Sequence, residues 1–397
     1  MESIPRWSLH CERSWSRVQQ HGVADCLDGT VHLAAAERPG GGVVVSAAFA
    51  AEDARARAEL RATALDDLQH DAGGWFAAPG APSPADTGRG HRLSLAGPPA
   101  GDGRRATAMG LLSGEHCPVP AEAVWPRRRP GQPGAAVVGV VEDPSDMVSS
   151  AIADVLAHDL VTRWWGHPHI PLLRVTRQLP RIIKPAALCS AMAMGLRVAA
   201  FVLPGSDFQI ALVAFGDGGT TVGIAAGRLA ASATAEAFFR ALAALMLRWR
   251  AAPRAGLAAQ AQPAALAGPA ALTGPAALAG PAALAGPAVL AGPAVLADRV
   301  ALAGHRQMAW HGGPGELGYL ERSAIEADLT QADELAFWEG LADWASIAHR
   351  RYGREPVVYS ASRARYATKV ICPGAACYQA ATAHGRQART GRARRPH

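Results

Sequence analysis

Two segments of the sequence each carry an acid followed by a histidine one helical turn later. Residues 66–70 read DDLQH, and residues 154–159 read DVLAHD. Residues three apart share a helix face, so two acids at that spacing could jointly bind a metal ion or a polar ligand. Here Gln69 and Ala157 stand where the second acid of each pair would be. The spacing therefore predicts a binding site that has lost part of its charge.

Composition limits the classes of protein to consider. The chain has 397 residues, of which 49% are hydrophobic and 18% charged, enough for two or three domains or one large α/β body. The sequence shows no uninterrupted apolar run long enough to predict a membrane span, and its first residues lack a signal pattern. The six scattered cysteines fit a reduced, cytoplasmic protein.

The net charge of +6 is concentrated in two places, Arg127 to Arg129 and residues 386–395. Such runs usually form solvated surface. Nucleic-acid binding would need aromatic residues among the basic ones, and residues 386–395 contain none. On sequence grounds we therefore do not expect nucleic acid as a partner.

Three strand-then-helix units follow one another, which predicts an α/β (α+β) fold of mixed sheets flanked by helices. Residues 77–108, rich in Pro, Gly, Asp and Ser, predict a loop between the first two units. The predicted units are a strand at 41–49 with a helix at 52–71, a strand at 135–141 with a helix ending near 165, and strands at 196–203, 208–215 and 220–225 with a helix at 232–249.

A low-complexity segment follows these units. From Pro263 to Asp298 the hexapeptide Pro-Ala-Ala-Leu-Ala-Gly occurs six times with small changes. A proline every sixth residue rules out a continuous helix, and one bulky residue per repeat is too few for a β-helix, so the segment predicts a linker.

Beyond the linker, residues 331–350 predict one long amphipathic helix, and 356–360 and 367–372 predict two strands. The apolar face of that helix would comprise Leu335, Phe337, Trp338, Leu341, Trp344 and Ile347. The predicted organisation is an N-terminal extension at 1–40, a body at 41–250, a linker at 251–300, the rest of the body at 301–382, and a basic, unstructured tail at 383–397.

Other chemistry-bearing residues give weaker signals. His167 and His169 are close, but no further ligands are placed to complete a zinc site. Cys372 and Cys377 have four residues between them instead of the two typical of redox or zinc motifs. No phosphate-binding glycine loop or nucleophile elbow occurs between a strand and a helix.

Four segments stand in a fixed order along the chain. They are Ser113-Gly-Glu-His-Cys-Pro-Val-Pro-Ala-Glu-Ala-Val124, the stretch from Val138 to the pair Trp164-Trp165, the stretch from Gly223 to Leu242, and Lys369-Val-Ile-Cys-Pro-Gly374. In this order they resemble motifs of the YcaO superfamily, over most of residues 40–380. The resemblance implies a mixed α/β fold that binds ATP and magnesium and activates a peptide backbone amide. Family members form azolines, thioamides or amidines in ribosomally made peptides.

The family's nucleotide-binding acids are only partly present. The three helix motifs fall on Asp66, Gln69 and His70, on Asp154, Ala157, His158 and Asp159, and on Ala243, Ala244 and Leu247. Six of these positions carry an acid or an amide in the family. Two of the six are Asp here, one is Gln and three are apolar: Asp66, Asp154, Gln69, Ala157, Ala244 and Leu247. Both arginines of the motifs are replaced by histidine, which lacks the planar donor fork suited to phosphate. Asp66, Gln69, Asp154 and Asp159 are thus the candidate remnants of an ATP and magnesium site.

These observations lead to the hypothesis of a degenerate YcaO-like partner or scaffold that binds ATP and magnesium weakly or not at all. Its expected partners are a precursor peptide and an active cyclodehydratase, with a homodimer possible and no membrane. Two alternatives remain open on sequence alone. One is a working ATP-dependent YcaO enzyme with a rearranged site, and the other is a peptide- or nucleic-acid-binding module with a basic tail.

Overall fold

The structure is a computed structural model that describes residues 6–38, 42–77, 105–124, 139–140, 148–166, 168, 170–216, 220–251, 311–312, 316–336, 338, 340, 343–361 and 368–375. Its helices are α1 (Arg6–His21), α2 (Ala51–Ala77), α3 (Ala121–Val124), α4 (Ser149–Gly166), α5 (Leu179–Ile182), α6 (Pro185–Ala193), α7 (Ala230–Ala251), α8 (Glu316–Ser323), α9 (Leu329–Glu334) and α10 (Trp344–Tyr352). Its strands are β1 (Val23–Cys26), β2 (Val31–Glu37), β3 (Val43–Ala48), β4 (Arg105–Gly110), β5 (His116–Pro120), β6 (Leu172–Arg174), β7 (Arg197–Pro204), β8 (Gln209–Gly216), β9 (Thr220–Gly227), β10 (His311–Gly312), β11 (Ala324–Glu326), β12 (Val357–Ser360) and β13 (Thr368–Ile371). Three sheets flanked by helices confirm the predicted α/β (α+β) class.

A six-stranded sheet in the order β10-β9-β8-β7-β6-β11 forms the centre of the molecule. Neighbouring strands are antiparallel except β11, which runs parallel to β6. Side chains alternate along each strand, so Phe201 and Leu203 pack on the face covered by α4, and Ala200 and Val202 pack on the face covered by α7. Apolar residues on both faces explain why this sheet was predictable from the sequence.

Helix α7 packs directly against β9 at Gly223. A Cβ atom at that position would lie 2.1 Å from the Ala237 carbonyl oxygen and 2.2 Å from the Ala241 nitrogen, so only glycine allows this approach. By length and composition, residues Ala230–Arg250 could cross a membrane, but 61% of that window is buried inside the molecule. The helix is therefore accounted for as a core helix.

The first forty residues contribute to the same core. Strands β1, β2 and β3 form an antiparallel sheet, and Cys11, Trp15 and Val18 of α1 join the hydrophobic cluster around α7. The predicted boundary at residue 40 falls between the paired strands β2 and β3. Nothing else in the structure tests the division into five segments, which stays a prediction.

A third sheet has the order β13-β12-β4-β5, and Val140 forms an isolated bridge with Lys369 of β13. Strand β4 begins inside residues 77–108, which the sequence predicted to be a loop, so that prediction is wrong for residues 105–108. The inward residues of this strand are Ala106 and Ala108, which are 1% and 2% exposed. Alanines give little hydrophobic contrast, and the strand pattern was weak for that reason.

The long amphipathic helix predicted at 331–350 is also wrong. The structure has two short helices, α9 and α10, with separate N-caps. Asp328 forms a capping box with Gln331 and the Asp343 side chain accepts a hydrogen bond from the Ser346 N–H. Between the helices, Leu335 is 57% and Trp338 is 45% exposed instead of facing the core. Trp344 and Ile347 do pack against the core, as predicted, and Phe337 and Leu341 lie outside the described residues.

Several other predictions concern residues outside the described part of the chain. These are the repeat at 263–298, most of the strand at 135–141, the arginines at 127–129, the basic tail, His167, His169 and Cys377.

Candidate functional site

Helices α2, α4 and α7 meet in one cluster of charges, to which the predicted helix motifs contribute Asp154. Arg240 of α7 donates from Nη1 to Oδ1 of Asp154 on α4, and from Nε to Oε1 of Glu236, one turn earlier on α7, at 3.1 Å. Arg57 of α2 is the third partner, with a contact of 2.9 Å between its Nη1 and Oε2 of Glu236. The carboxylates of Asp154 and Glu236 thus bind guanidinium groups of the chain itself.

Asp154 has further partners within the protein. Its Oδ2 accepts a hydrogen bond from the Gly139 N–H at 3.0 Å, and its Oδ1 lies 3.4 Å from Nε2 of His158. Burial alone would raise the pKa of Asp154, but the charge of Arg240, followed by those of His158 and Arg61, lowers it well below its usual range. Asp154 is therefore a carboxylate at neutral pH whose negative charge is already balanced.

Asp159 is bound just as completely. It is fully buried, and its two oxygens accept hydrogen bonds from Nε of Arg163 at 2.8 Å and from Nε of Arg351 at 3.0 Å. Arg163 also donates to the Gly374 carbonyl at 2.8 Å, which connects α4 to the segment after β13. This arrangement gives Asp159 a structural role.

Asp66 lies in a different setting from the other two acids. It lines an open depression of about 190 Å³ between β2 and α2, together with Glu37, Glu59 and Asp67. Burial and the neighbouring charge of Asp66 raise the pKa of Asp67. Asp66 is itself 9% exposed and lies 3.5 Å from Nδ1 of His70. The side chain of Gln69 is outside the described residues.

The remaining motif positions offer no ligand atoms. Ala157 is fully buried, Ala243 is 7% exposed, and Leu247 packs against the cluster around α7. Magnesium needs six oxygen ligands in near-ideal geometry, several of them from carboxylates, phosphates or water. Among the residues that the structure describes, no group of three His, Cys, Asp or Glu side chains could hold a metal ion. The residues at these positions do not fit magnesium triphosphate.

Glu236 and the arginines were not among the predicted site residues. Glu236 and Arg240 lie in a segment that was predicted only to resemble the family, and Arg57, Arg61 and Arg351 lie outside the predicted motifs. One signal was available, because Glu236 and Arg240 are four residues apart on a predicted helix and can pair along it. The contacts between helices had no signal in a single sequence.

A cysteine–histidine contact in the N-terminal part has the residue types of a nucleophilic pair. Nε2 of His10 lies 3.3 Å from Sγ of Cys26. Burial raises the pKa of the Cys26 thiol to about 12, and burial followed by the charge of Arg13 lowers the pKa of His10. The thiol therefore stays protonated at neutral pH and is a core residue, not a nucleophile.

Comparisons with known proteins support the fold. No family model matches the sequence, and no curated protein matches it. The YcaO protein from Methanopyrus kandleri, solved bound with AMPPCP and Mg²⁺, is 13% identical with a TM-score of 0.51, over 95% of this chain and 92% of that one. Two other similar structures are the E. coli microcin synthetase McbBCD complex with pro-MccB17 bound (10% identity, TM-score 0.39, 68% of this chain and 64% of that one) and the heterocyclase TruD (15%, 0.35, 70% and 35%).

The chain therefore has a YcaO-like fold, and the predicted resemblance to that superfamily is confirmed at the level of fold.

Proposed function

We propose that this protein is a YcaO-like component of ribosomal peptide maturation that has lost ATP-dependent catalysis. It would act in the cytoplasm as a partner or scaffold that presents a precursor peptide to an active cyclodehydratase. One observation carries the proposal. Asp154 and Asp159 are bound by arginines of the chain, and the neighbouring position Ala157 is apolar and fully buried.

The loss of ligands sets the size of the expected effect. Removing most of the metal-binding oxygens should cost several kcal/mol of nucleotide affinity, on the order of a thousand-fold or more at about 1.4 kcal/mol per decade. Binding of ATP and magnesium would then be too weak to matter at cellular concentrations.

A second candidate is a working ATP-dependent enzyme that activates a backbone amide. Two observations favour it. The Methanopyrus YcaO of similar fold was solved bound with AMPPCP and Mg²⁺. The depression beside Asp66 and Asp67 is open to solvent and acidic, so one end of the expected metal site keeps its charge.

Calorimetry separates the two candidates. We expect no heat of binding when ATP is titrated into about 100 μM protein with millimolar magnesium, since affinity should be reduced about a thousand-fold. The isolated chain should also release no phosphate in the presence of precursor peptide. Micromolar ATP binding that disappears when magnesium is chelated would refute the noncatalytic proposal and support the enzyme.

A gain-of-function variant makes the test sharper. Gln69→Glu combined with Ala244→Glu restores two acids, of which position 244 is only half-buried. Ala157 is left unchanged because a glutamate there would bury an unpaired charge. The matched control is Gln69→Met with Ala244→Met, which adds similar volume without charge. Improved magnesium-dependent nucleotide binding by the first variant alone would locate the degenerate site.

A further inference from the structure

The charge cluster lies at an edge of the central sheet. In the described part of the chain, strand β10 pairs with β9 only at Thr220 and Thr221. Farther along β9, Nη1 of Arg240 donates to the Ile224 carbonyl at 3.2 Å and also to Asp154. Helices α7 and α4 cover opposite faces of the sheet, so Arg240 connects the two faces around the edge of β9.

The cluster extends from the interior to the surface as an alternating row. We call the sequence Arg57–Glu236–Arg240–Asp154 the ion-pair row; the exposed fractions of its side chains are 45%, 31%, 26% and 8%. Each inner member lies between two opposite charges. Arg57 brings in α2, which packs on the N-terminal sheet, and the row therefore joins three helices that cover different sheet surfaces.

We infer that the ion-pair row holds α2, α4 and α7 together around the edge of β9, with no contribution from a nucleotide or a metal. The inference rests on the proposed function in one respect only, that no nucleotide enters the cluster. In a site built for magnesium triphosphate, helices carrying acids would repel one another until the ligand bound. Here arginines of the chain supply the positive charge permanently.

The electrostatics of the row agree with this role. Burial tends to lower the pKa of Arg240, but the charges of Asp154 and Glu236 overcome that effect and raise it. Burial would likewise raise the pKa of Glu236, and Arg240 and Arg57 lower it instead. Each member is thus held in its charged form by the others. Removing one leaves a buried charge without its counterpart, which destabilises a protein more than removing both.

A double-mutant cycle tests the inference. The variants are Asp154→Asn, Arg240→Met and the two combined, and the control is Arg197→Met. Arg197 also forms an ion pair, with Glu321, but its side chain is 68% exposed. The measurement is the midpoint of thermal unfolding with and without millimolar magnesium ATP. A surface ion pair contributes little, so the control should change the midpoint by about 1–2 °C or less.

We expect Asp154→Asn and Arg240→Met each to lower the midpoint by about 5 °C or more, and the loss of the double variant to fall short of the sum by at least half of one single loss. Magnesium ATP should shift none of them. Single losses equal to that of the control, or losses that add fully, would overturn the inference. If neither single variant folds, a soluble double variant supports the inference and an insoluble one overturns it.

The outcomes also separate the inference from the proposed function. Magnesium-dependent ATP binding by the unmodified protein would refute the proposed function and leave the mutant cycle interpretable. Additive losses without ATP binding would refute only the role of the ion-pair row.

Discussion

At the scale of single residues, the surroundings of each acid decide what it can bind. Asp154 and Asp159 both keep a carboxylate at a motif position, yet each is enclosed by cations and hydrogen-bond donors of the chain. Asp66 is the candidate that lines an open depression. A carboxylate counted from sequence is therefore not available to an outside ligand where cations of the chain are bound to it, as at Asp154 and Asp159.

The lowered pKa of Asp154 predicts a pH dependence of stability. A carboxyl group whose pKa is lower in the folded than in the unfolded protein stabilises the fold above its unfolded pKa of about 3.9, and this contribution is lost as pH falls towards the folded value. The free energy of unfolding of the wild type should therefore exceed that of Asp154→Asn most at pH 6–7, and the difference should shrink from about pH 5 downwards.

Urea unfolding of both proteins at pH 7, 5 and 4 measures this difference. Glu355→Gln is a suitable control, because Glu355 also has a lowered pKa but lies at the surface, where Ser113 and the Leu112 N–H donate to it. When both proteins also carry Glu355→Gln, the difference between their free energies of unfolding should still depend on pH in the same way, because it arises at Asp154. A difference that stays constant from pH 7 to 4 would contradict the assigned pKa shift.

Of this cluster, the sequence predicted Asp154 and missed Glu236 and the arginines that bind the two acids. Acids at fixed helical spacing are visible in a single sequence, as at residues 66 and 154. Arg351 meets Asp159 across 192 residues, and Arg57 meets Glu236 across 179. Contacts at such separation depend on how helices pack, which local periodicity does not contain.

At the scale of elements, the sequence predicted the strands and helix that carry large apolar side chains and missed a strand whose buried side chains are small. The strands β7 to β9 and the helix α7 carry alternating or periodic large apolar residues and were predicted within a few residues of their ends. Strand β4, whose inward residues are alanines, was missed. For residues 331–350, the apolar spacing predicted one helix although two local signals interrupt it. These signals are Gly340, which has a φ of +79°, and Asp343, the N-cap at which α10 begins.

The contact between α7 and β9 predicts a sharp contrast between two glycine-to-alanine substitutions. Gly223→Ala should destabilise the protein by roughly 2–4 kcal/mol, since its Cβ would meet backbone atoms of α7 at about 2 Å and force the helix outwards. Gly318→Ala, in the middle of α8, should be neutral or stabilising by up to about 1 kcal/mol. There the Cβ meets only the end of the Arg322 side chain, at 3.2 Å.

Chemical unfolding of the two variants measures the contrast. Equal effects on the free energy of unfolding would mean that α7 does not approach β9 as closely as the structure shows.

At the scale of the whole molecule, the chain leaves the central sheet after α7 and returns to the same sheet at β10 and β11. The repeat at 263–298 lies in the interval between them. If that repeat is a linker, deleting three of its six units should change the free energy of unfolding by no more than about 0.5 kcal/mol. For a linker of roughly 60 residues, shortening by about a third would alter the free energy of loop closure by only a few tenths of a kcal/mol.

The control for the deletion is replacement of the same three repeats by Gly/Ser sequence of equal length, which keeps the connection and removes its leucines. If the deletion costs several kcal/mol while the replacement does not, the connection is too short. If both cost that much, the repeats pack as a structural element and the linker prediction is wrong.

The pairing of β12 with β4 has a consequence for synthesis of the protein. Val357 pairs with Gly110, and β11 pairs with β6 across about 150 residues, so two of the three sheets are completed by residues translated after α7. At about 5–20 residues per second, the ribosome needs roughly 5–20 s to add the hundred or so residues between α7 and β12. During that time β4 and β6 present unpaired edges, which favour aggregation. Expression at low temperature or with chaperones that shield nascent chains should therefore raise the yield of folded protein.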